Sequence, residues 1–148
     1  GGWAADDVIS GFEWVFGSNH GGDVLKGTNG NNVIRGHGGN DALDGRNGLD
    51  TLDGGTGADT LTGGLGADSF VFAAGYQNDT ITDFSVSEVD RLLLNDTLWS
   101  GTLSAAQVVS TYASVVAGNV VFDFGGGDVL TLEGLTSTSQ LDTLISII

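Results

Sequence analysis

Residues 18 to 71 divide without a gap into six nonapeptides, SNHGGDVLK, GTNGNNVIR, GHGGNDALD, GRNGLDTLD, GGTGADTLT and GGLGADSFV. Their fourth position is Gly throughout (Gly21, Gly30, Gly39, Gly48, Gly57, Gly66), and their first is Gly in every unit except the one that opens at Ser18. The sixth position reads Asp23, Asn32, Asp41, Asp50, Asp59 and Asp68; the eighth is always apolar, as Leu25, Ile34, Leu43, Leu52, Leu61 and Phe70. Glycine is 26 of 148 residues, so six in six at one column is not composition alone. A strict short period calls for a repeat architecture before any other fold is considered.

The two halves of a unit have different physics. The glycine-rich first six residues can take positive φ values and close backbone approaches, so they turn tightly and can aim carbonyl oxygens inward. The last three, x-apolar-x, make a minimal strand whose middle side chain points to one side. Two units then form one 18-residue coil of a flattened helix of parallel strands, and six units form three coils. The eighth-position side chains stack between two sheets. Loops two units apart lie above one another at about the 4.8 Å strand spacing, close enough to share a cation.

The pattern G-G-x-G-x-D-x-apolar-x resembles the RTX calcium-binding nonapeptide over residues 18–71. The resemblance implies an all-β fold: a parallel β-roll, or β-helix with 18 residues per coil, followed by a mainly β capping region. In that family an ion takes the carbonyls of the second and fourth positions and the Asp of one loop. It adds the carbonyls of the first and third positions and the Asp of the loop two units on. Carried over, the interior sites are Asn19, Gly21 and Asp23 with Gly36, Gly38 and Asp41; and Thr28, Gly30 and Asn32 with Gly45, Asn47 and Asp50. The next two are His37, Gly39 and Asp41 with Gly54, Thr56 and Asp59; and Arg46, Gly48 and Asp50 with Gly63, Leu65 and Asp68. About six oxygens in a flexible arrangement suit calcium better than magnesium. Asn32 replaces a charged ligand by a neutral one, and Ser18-Asn19 replaces the opening glycine pair, so the two sites nearest the N-terminus are expected to be weaker.

Residues 1–17 read as an irregular opening rung, with strand-like segments at Asp7-Val8-Ile9 and from Phe12 to Gly17. Together with Gly1-Gly2 and the absence of Met, this suggests a roll cut from a longer protein. After Val71 the repeat signature stops, and residues 72–148 are expected to cap the roll. Here Asp79 to Phe84 alternates as a strand, Arg91 to Leu94 is a short apolar one, and Asn119 to Phe124 with Val129 to Leu132 reads as a hairpin around three glycines. Ser104 to Gln107 is a capping box opening one short helix, expected over Val108 to Ala117 and closed by Gly118. D-x-I-x-D-F, Asp90 and F-D-F-G-G-G-D resemble the C-terminal region of serralysin-type proteases and other type I secreted proteins. That resemblance implies an uncleaved export signal, a type I secretion apparatus as partner, and a secreted or cell-surface location. Asp79, with Asp83, is a candidate for a last site beside the Asp59 loop, while Asp44 and Asp53, in the ninth position, are expected to point outward.

Several functions are disfavoured. A net charge of −15 repels nucleic acid and anionic membrane surfaces, and no apolar run reaches the roughly 18 residues of a membrane span. Without Cys there are no disulfides, thiolate zinc sites or thiol catalysis. His20 and His37 lack H-E-x-x-H spacing, no G-x-S-x-G is present, and carboxylates committed to a cation are removed from acid/base work. The function these resemblances imply is a non-catalytic calcium-binding module of a type I secreted bacterial protein, folding on calcium outside the cell. Its alternative is an interaction module for polysaccharide or surface attachment, as in epimerases, adhesins and surface layers. Trp3, Trp14 and Trp99 or the basic Lys26, Arg35 and Arg46 would have to form its binding face.

Overall fold

The computed structural model describes residues 8–10 and 13–148. Its first eight strands are β1 (Val8–Ser10), β2 (Trp14–Phe16), β3 (Val24–Lys26), β4 (Val33–Gly38), β5 (Ala42–Asp44), β6 (Thr51–Thr56), β7 (Thr60–Thr62) and β8 (Ser69–Phe72). Odd-numbered strands join one sheet and even-numbered ones the other, so each coil contributes one strand to each sheet. All of these neighbours are parallel, with Leu25 opposite Leu43 and Leu43 opposite Leu61 in one sheet. In the other, Ile34 lies opposite Leu52, and Leu52 opposite Phe70. Register is fixed because a one-residue slip would turn every eighth-position side chain out to water. Those six side chains are at most 2% exposed, and with so much of each unit spent on glycine they are the main source of hydrophobic stabilisation in the repeats.

The coil outlasts the repeat signature. Strand β9 (Asn78–Ile81) extends the first sheet, with Leu61 opposite Ile81. Strand β10 (Arg91–Leu94) extends the second, with Phe70 opposite Leu92. Then follow a 3-10 turn at Asp96–Leu98, helix α1 (Ala105–Tyr112), strands β11 (Ala113–Val116), β12 (Asn119–Gly125) and β13 (Asp128–Leu132), a single helical turn α2 (Leu141–Leu144), and β14 (Ile145–Ile147). Strand β13 adds in parallel to β9, β12 and β11 continue antiparallel, and β14 adds in parallel to β10. The finished sheets have eight and six strands. Among the described residues no helix is long and apolar enough to cross a membrane.

Two local expectations need correcting. The capping box of Ser104 and Gln107 forms, but it starts the helix at Ala105, and the helix ends at Tyr112. The following Ala-Ser-Val-Val is a strand because Ala117 (φ 51°) and Gly118 (φ 84°) make a two-residue left-handed hairpin turn, which pairs it with β12. Gly118 is thus a hairpin residue and not a helix stop. The strand expected from Asp79 to Phe84 ends at Ile81. Beyond it the chain turns so that Phe84, 6% exposed, packs against Phe70 at 6.1 Å.

Trp99 belongs to a cluster with Tyr112 and Phe124 (ring centres 6.2 and 6.1 Å away), and Phe72 joins it through Phe124 at 5.8 Å. Trp14 instead lies on the outer face of the six-stranded sheet, 67% exposed. These two tryptophans form no common platform; Trp3 lies outside the described residues.

Candidate metal centre

One hydrogen-bond ladder runs along each edge of the roll, built from the sixth-position column. The backbone N–H of Asp23 donates to Asp41 Oδ1 (2.7 Å), that of Asp41 to Asp59 Oδ1 (2.7 Å) and that of Asp59 to Asp79 Oδ1 (3.0 Å). On the opposite edge Asn32 donates to Asp50 (2.7 Å), Asp50 to Asp68 (2.8 Å) and Asp68 to Asp90 (2.9 Å). Each carboxylate is thereby pinned by one oxygen to the coil before it. The other oxygen, Oδ2, is buried without a hydrogen-bond partner in Asp41, Asp50, Asp59, Asp68 and Asp79. Orphaned buried carboxylate oxygens are costly, and a row of them at one register is an arrangement that a shared cation would satisfy.

The backbone supplies the remaining donors. A Cβ placed on Gly36 would coincide with Asp41 Oδ2 and the Gly54 carbonyl oxygen, and one on Gly45 with Asp50 Oδ2 and the Gly63 carbonyl oxygen. Gly17 shows the same convergence of Asp23 Oδ2 (2.7 Å) with the Gly36 carbonyl (2.6 Å), and Gly27 that of Asn32 Oδ1 with the Gly45 carbonyl (2.8 Å). At all four interior positions, therefore, the sixth-position oxygen of one loop meets the first-position carbonyl of the loop two units on. Second- and fourth-position carbonyls face the next coil, where Arg46 O also accepts from Leu65 N (2.7 Å). Those of His37 and Arg46 face Gly55 and Gly64, and those of Gly21, Gly30, Gly39 and Gly48 face the fourth-position glycine of the next coil. Asn19 O lies 3.0 Å from where a Gly38 side chain would begin. Of the third-position carbonyls, Thr56 O accepts from Gly39 N (2.9 Å) and Leu65 O from Gly48 N (2.9 Å), each keeping a second lone pair. Among the described residues no three Asp, Glu or His side chains converge as a metal cluster. Any ion here draws chiefly on carbonyls, an all-oxygen set that suits a hard cation.

Of the four non-glycine residues in second positions, Asn19, Thr28, His37 and Arg46, the last two hold φ values of 75° and 77°. Such backbone is strained for residues with a Cβ, and here it serves to aim the carbonyls. Thr28 and Asn32 differ from the rest of the column: Asn32 Oδ1 accepts from Thr28 N (2.7 Å), and its amide donates to Thr28 Oγ1 (3.2 Å). The outward ninth positions pair with each other, Lys26 with Asp44 at 3.3 Å and Arg35 with Asp53 at 3.7 Å.

The two candidates for a terminal site separate. Asp79 joins the Asp59 ladder, but Asp83 caps the opposite edge, accepting from Gly63 N (2.9 Å) and Gly64 N (2.8 Å). Asp90 is the ladder residue that sequence reasoning left out of the site. Its Oδ2 accepts from Ser85 N (2.8 Å), just as Asp23 Oδ2 accepts from Ser18 N (2.7 Å). The signal was available in the S-x-x-x-x-D spacing shared by 18–23 and 85–90.

Burial, reinforced by neighbouring carboxylates and opposed by the ladder N–H groups, pushes Asp50, Asp59 and Asp90 up to about 6 and Asp79 up to about 8. Asp41 and Asp68 are raised for the same reasons. A carboxyl raised above the ordinary 3.8 stabilises the fold while it is protonated, and that contribution is lost as pH rises through the folded value. The metal-free chain is therefore expected to lose β-structure between about pH 5 and about pH 8. A divalent cation should bind more weakly at the acid end, where it must displace protons. Circular dichroism in chelator across that range measures the first effect; an unchanged spectrum contradicts it.

Residues 19–52 and 44–81 match the family model of the RTX calcium-binding nonapeptide repeat. No curated protein matches the chain. Among solved structures, the solution structure of the AlgE6R3 subunit from the Azotobacter vinelandii mannuronan C5-epimerase is 27% identical, covering 92% of this chain and 80% of that one with a TM-score of 0.59.

Proposed function

From a chain that carries RTX calcium-binding nonapeptide repeats, we propose a module that folds on binding calcium, with the ions held at the four interior loop pairs. The repeat module is itself a non-catalytic calcium-binding fold. The row of buried, unpartnered Oδ2 atoms carries the proposal. Without a cation, carboxylates stacked at about the strand spacing repel each other, and glycine-rich loops cost the most entropy to order. Calcium supplies the missing positive charge, so its binding free energy becomes folding free energy. In a cell poor in free calcium the chain stays unfolded and threadable through a type I secretion apparatus. Outside, where calcium is on the order of millimolar, it folds. Residues 72–148 then cap the roll and contain the export signal, in a secreted or surface-bound parent.

Two substitutions separate ligation from relief of charge repulsion. Asp50→Ala removes a buried ladder carboxylate, whereas Asp44→Ala removes an equal charge from the outer face, where its pairing with Lys26 is worth at most about 1 kcal/mol. Asp50→Ala is expected to raise the calcium midpoint of folding about tenfold, the equivalent of about 1.4 kcal/mol and the order of one charged contact, and Asp44→Ala to leave it within about twofold. Circular dichroism against free calcium reads both. Equal midpoints, or a fully folded chain in chelator near neutral pH, would sink calcium-coupled folding.

One observation favours a second role. Trp14, Phe16 (39% exposed) and Arg35 share the outer face of the six-stranded sheet, with Phe16 directly opposite Arg35. The structural neighbour belongs to a mannuronan C5-epimerase. A polysaccharide chain stacking on Trp14 fits that patch, and Trp14→Ala should abolish retention on immobilised polysaccharide without changing the calcium midpoint; unaltered retention rejects the patch.

A further inference from the structure

Charged residues make up 16% of the chain, yet none occurs from Thr97 to Phe122. This stretch contains helix α1, strand β11 and the part of β12 that pairs with β11, Asn119 to Phe122. Strand β11 ends the eight-stranded sheet, so one side of its backbone has no strand beyond it. At the same end of the roll the six-stranded sheet finishes on β14, against which α1 packs. Edge strands are normally blunted by charge, proline or a bulge, and the Ala-Ser-Val-Val of β11 has none of these.

Because Ala117 and Gly118 form a two-residue turn, Val116 and Asn119 are a hydrogen-bonded pair, and the antiparallel ladder alternates back from there. Ser114 therefore also spends its backbone groups on β12, while Val115 directs its N–H and C=O away from the sheet. The side chain of Val115 shares a face with that of its partner Val120, which is 0% exposed, yet Val115 is 51% exposed. The core face ends there. We propose that β11 docks a second copy of this chain, paired antiparallel about a two-fold axis through Val115. Such pairing joins the two eight-stranded sheets, gives each Val115 N–H the other copy's Val115 carbonyl, and sets one valine beside the other. Charge selects this partner. Two chains of net charge −15 repel over most of their surfaces, and residues 97–122 are where they meet with no like charges opposed. The same residues offer a cationic partner nothing to bind. A strand of four residues buries far less than the roughly 1,200 Å² of a standard interface, so the dimer is weak and strengthens as salt screens the remaining repulsion.

Sedimentation equilibrium of the whole chain in saturating calcium is expected to show monomer and dimer only, with a dissociation constant that falls severalfold between about 50 mM and about 500 mM salt. Val115→Pro removes the outward N–H without touching the β12 ladder, a place where an edge strand tolerates proline. It should raise the dissociation constant about tenfold, two hydrogen bonds being lost per dimer, and leave far-ultraviolet circular dichroism unchanged. A mass that stays at 15.0 kDa up to about 1 mM chain overturns the proposal, as does a dimer indifferent to Val115→Pro. Species larger than a dimer overturn it too, since they would mean that β11 pairs with the β1 edge of the next copy. Should Val115→Pro fail to fold, Val115→Cys decides. The chain has no cysteine of its own, and opposed residues of a hydrogen-bonded pair have Cα atoms about 5.5 Å apart, within disulfide reach. Mild oxidation in calcium should link two copies of this variant and leave Val89→Cys, 48% exposed in the wild-type chain and remote in sequence from β11, monomeric. Equal linking of the two variants, or none of Val115→Cys, overturns the pairing.

Discussion

Leu52→Asp is expected to leave the chain unfolded even in saturating calcium. Leu52 is 0% exposed and sits mid-column, with Ile34 and Phe70 as its neighbours in the sheet. Truncating such a leucine costs about 2–5 kcal/mol, and an uncompensated buried carboxylate adds several more. A whole domain is stabilised by only about 5–15 kcal/mol, so the deficit exceeds what calcium at the loops can restore. Far-ultraviolet circular dichroism and gel filtration with calcium would show a coil-like, expanded chain. A compact β-rich variant would mean that the eighth-position column does not form the core.

Gly57→Val is expected to be nearly as damaging, for a reason that resides in the loops. Gly57 has φ 144°, and a Cβ there would fall on the carbonyl oxygen of Gly39, a proposed calcium donor. The β-branched side chain forces the coils apart at that edge or displaces the carbonyl, and either outcome removes a ligand and opens the stack. The calcium midpoint should rise by at least about a hundredfold, a loss of about 2.7 kcal/mol at the lower end of what such strain costs. Gly118→Val, at a glycine also of positive φ (84°) but with open space around it, tests a positive-φ penalty without the close approach and should shift the midpoint far less. Equal shifts would show that close stacking of the loops is not what the fourth-position glycines protect.

The repeats were legible because each of their constraints falls on a fixed column: a strand needs its apolar residue, a tight loop its glycine, and a shared cation its carboxylate. The continuation of the coil past Val71 was legible only in part, as strands at Asp79 and at Arg91 to Leu94 and as Asp79 beside the Asp59 loop, because there the same contacts are made by unlike residues. Gln77 adopts the left-handed conformation that glycine adopts elsewhere, and Asp128 and Asp83 take the loop N–H groups that a following coil would otherwise engage. Tertiary contacts of that kind leave no local trace. The sequence pattern puts the helix too late and makes it too long because Ala113 to Val116 are decided by pairing with β12, which a capping box opening at Ser104 cannot announce. Asp90 escaped because four extra residues between columns, a 22-residue step in place of 18, hide its place from a nine-residue frame.

Because every ladder contact joins units that are two apart, chain length in this solenoid comes in fixed quanta. Losing or gaining a whole coil leaves each remaining aspartate on its own edge and each leucine in its own sheet. A change of nine residues exchanges the two edges downstream, bringing the ladder that begins at Asp23 into line with the one that begins at Asn32. Irregular lengths are absorbed at the corners, as the steps from Asp59 to Asp79 and from Asp68 to Asp90 show. The roll can thus be lengthened or shortened by duplication at the scale of a coil while its end structure stays the same, and the number of proposed calcium sites changes in proportion.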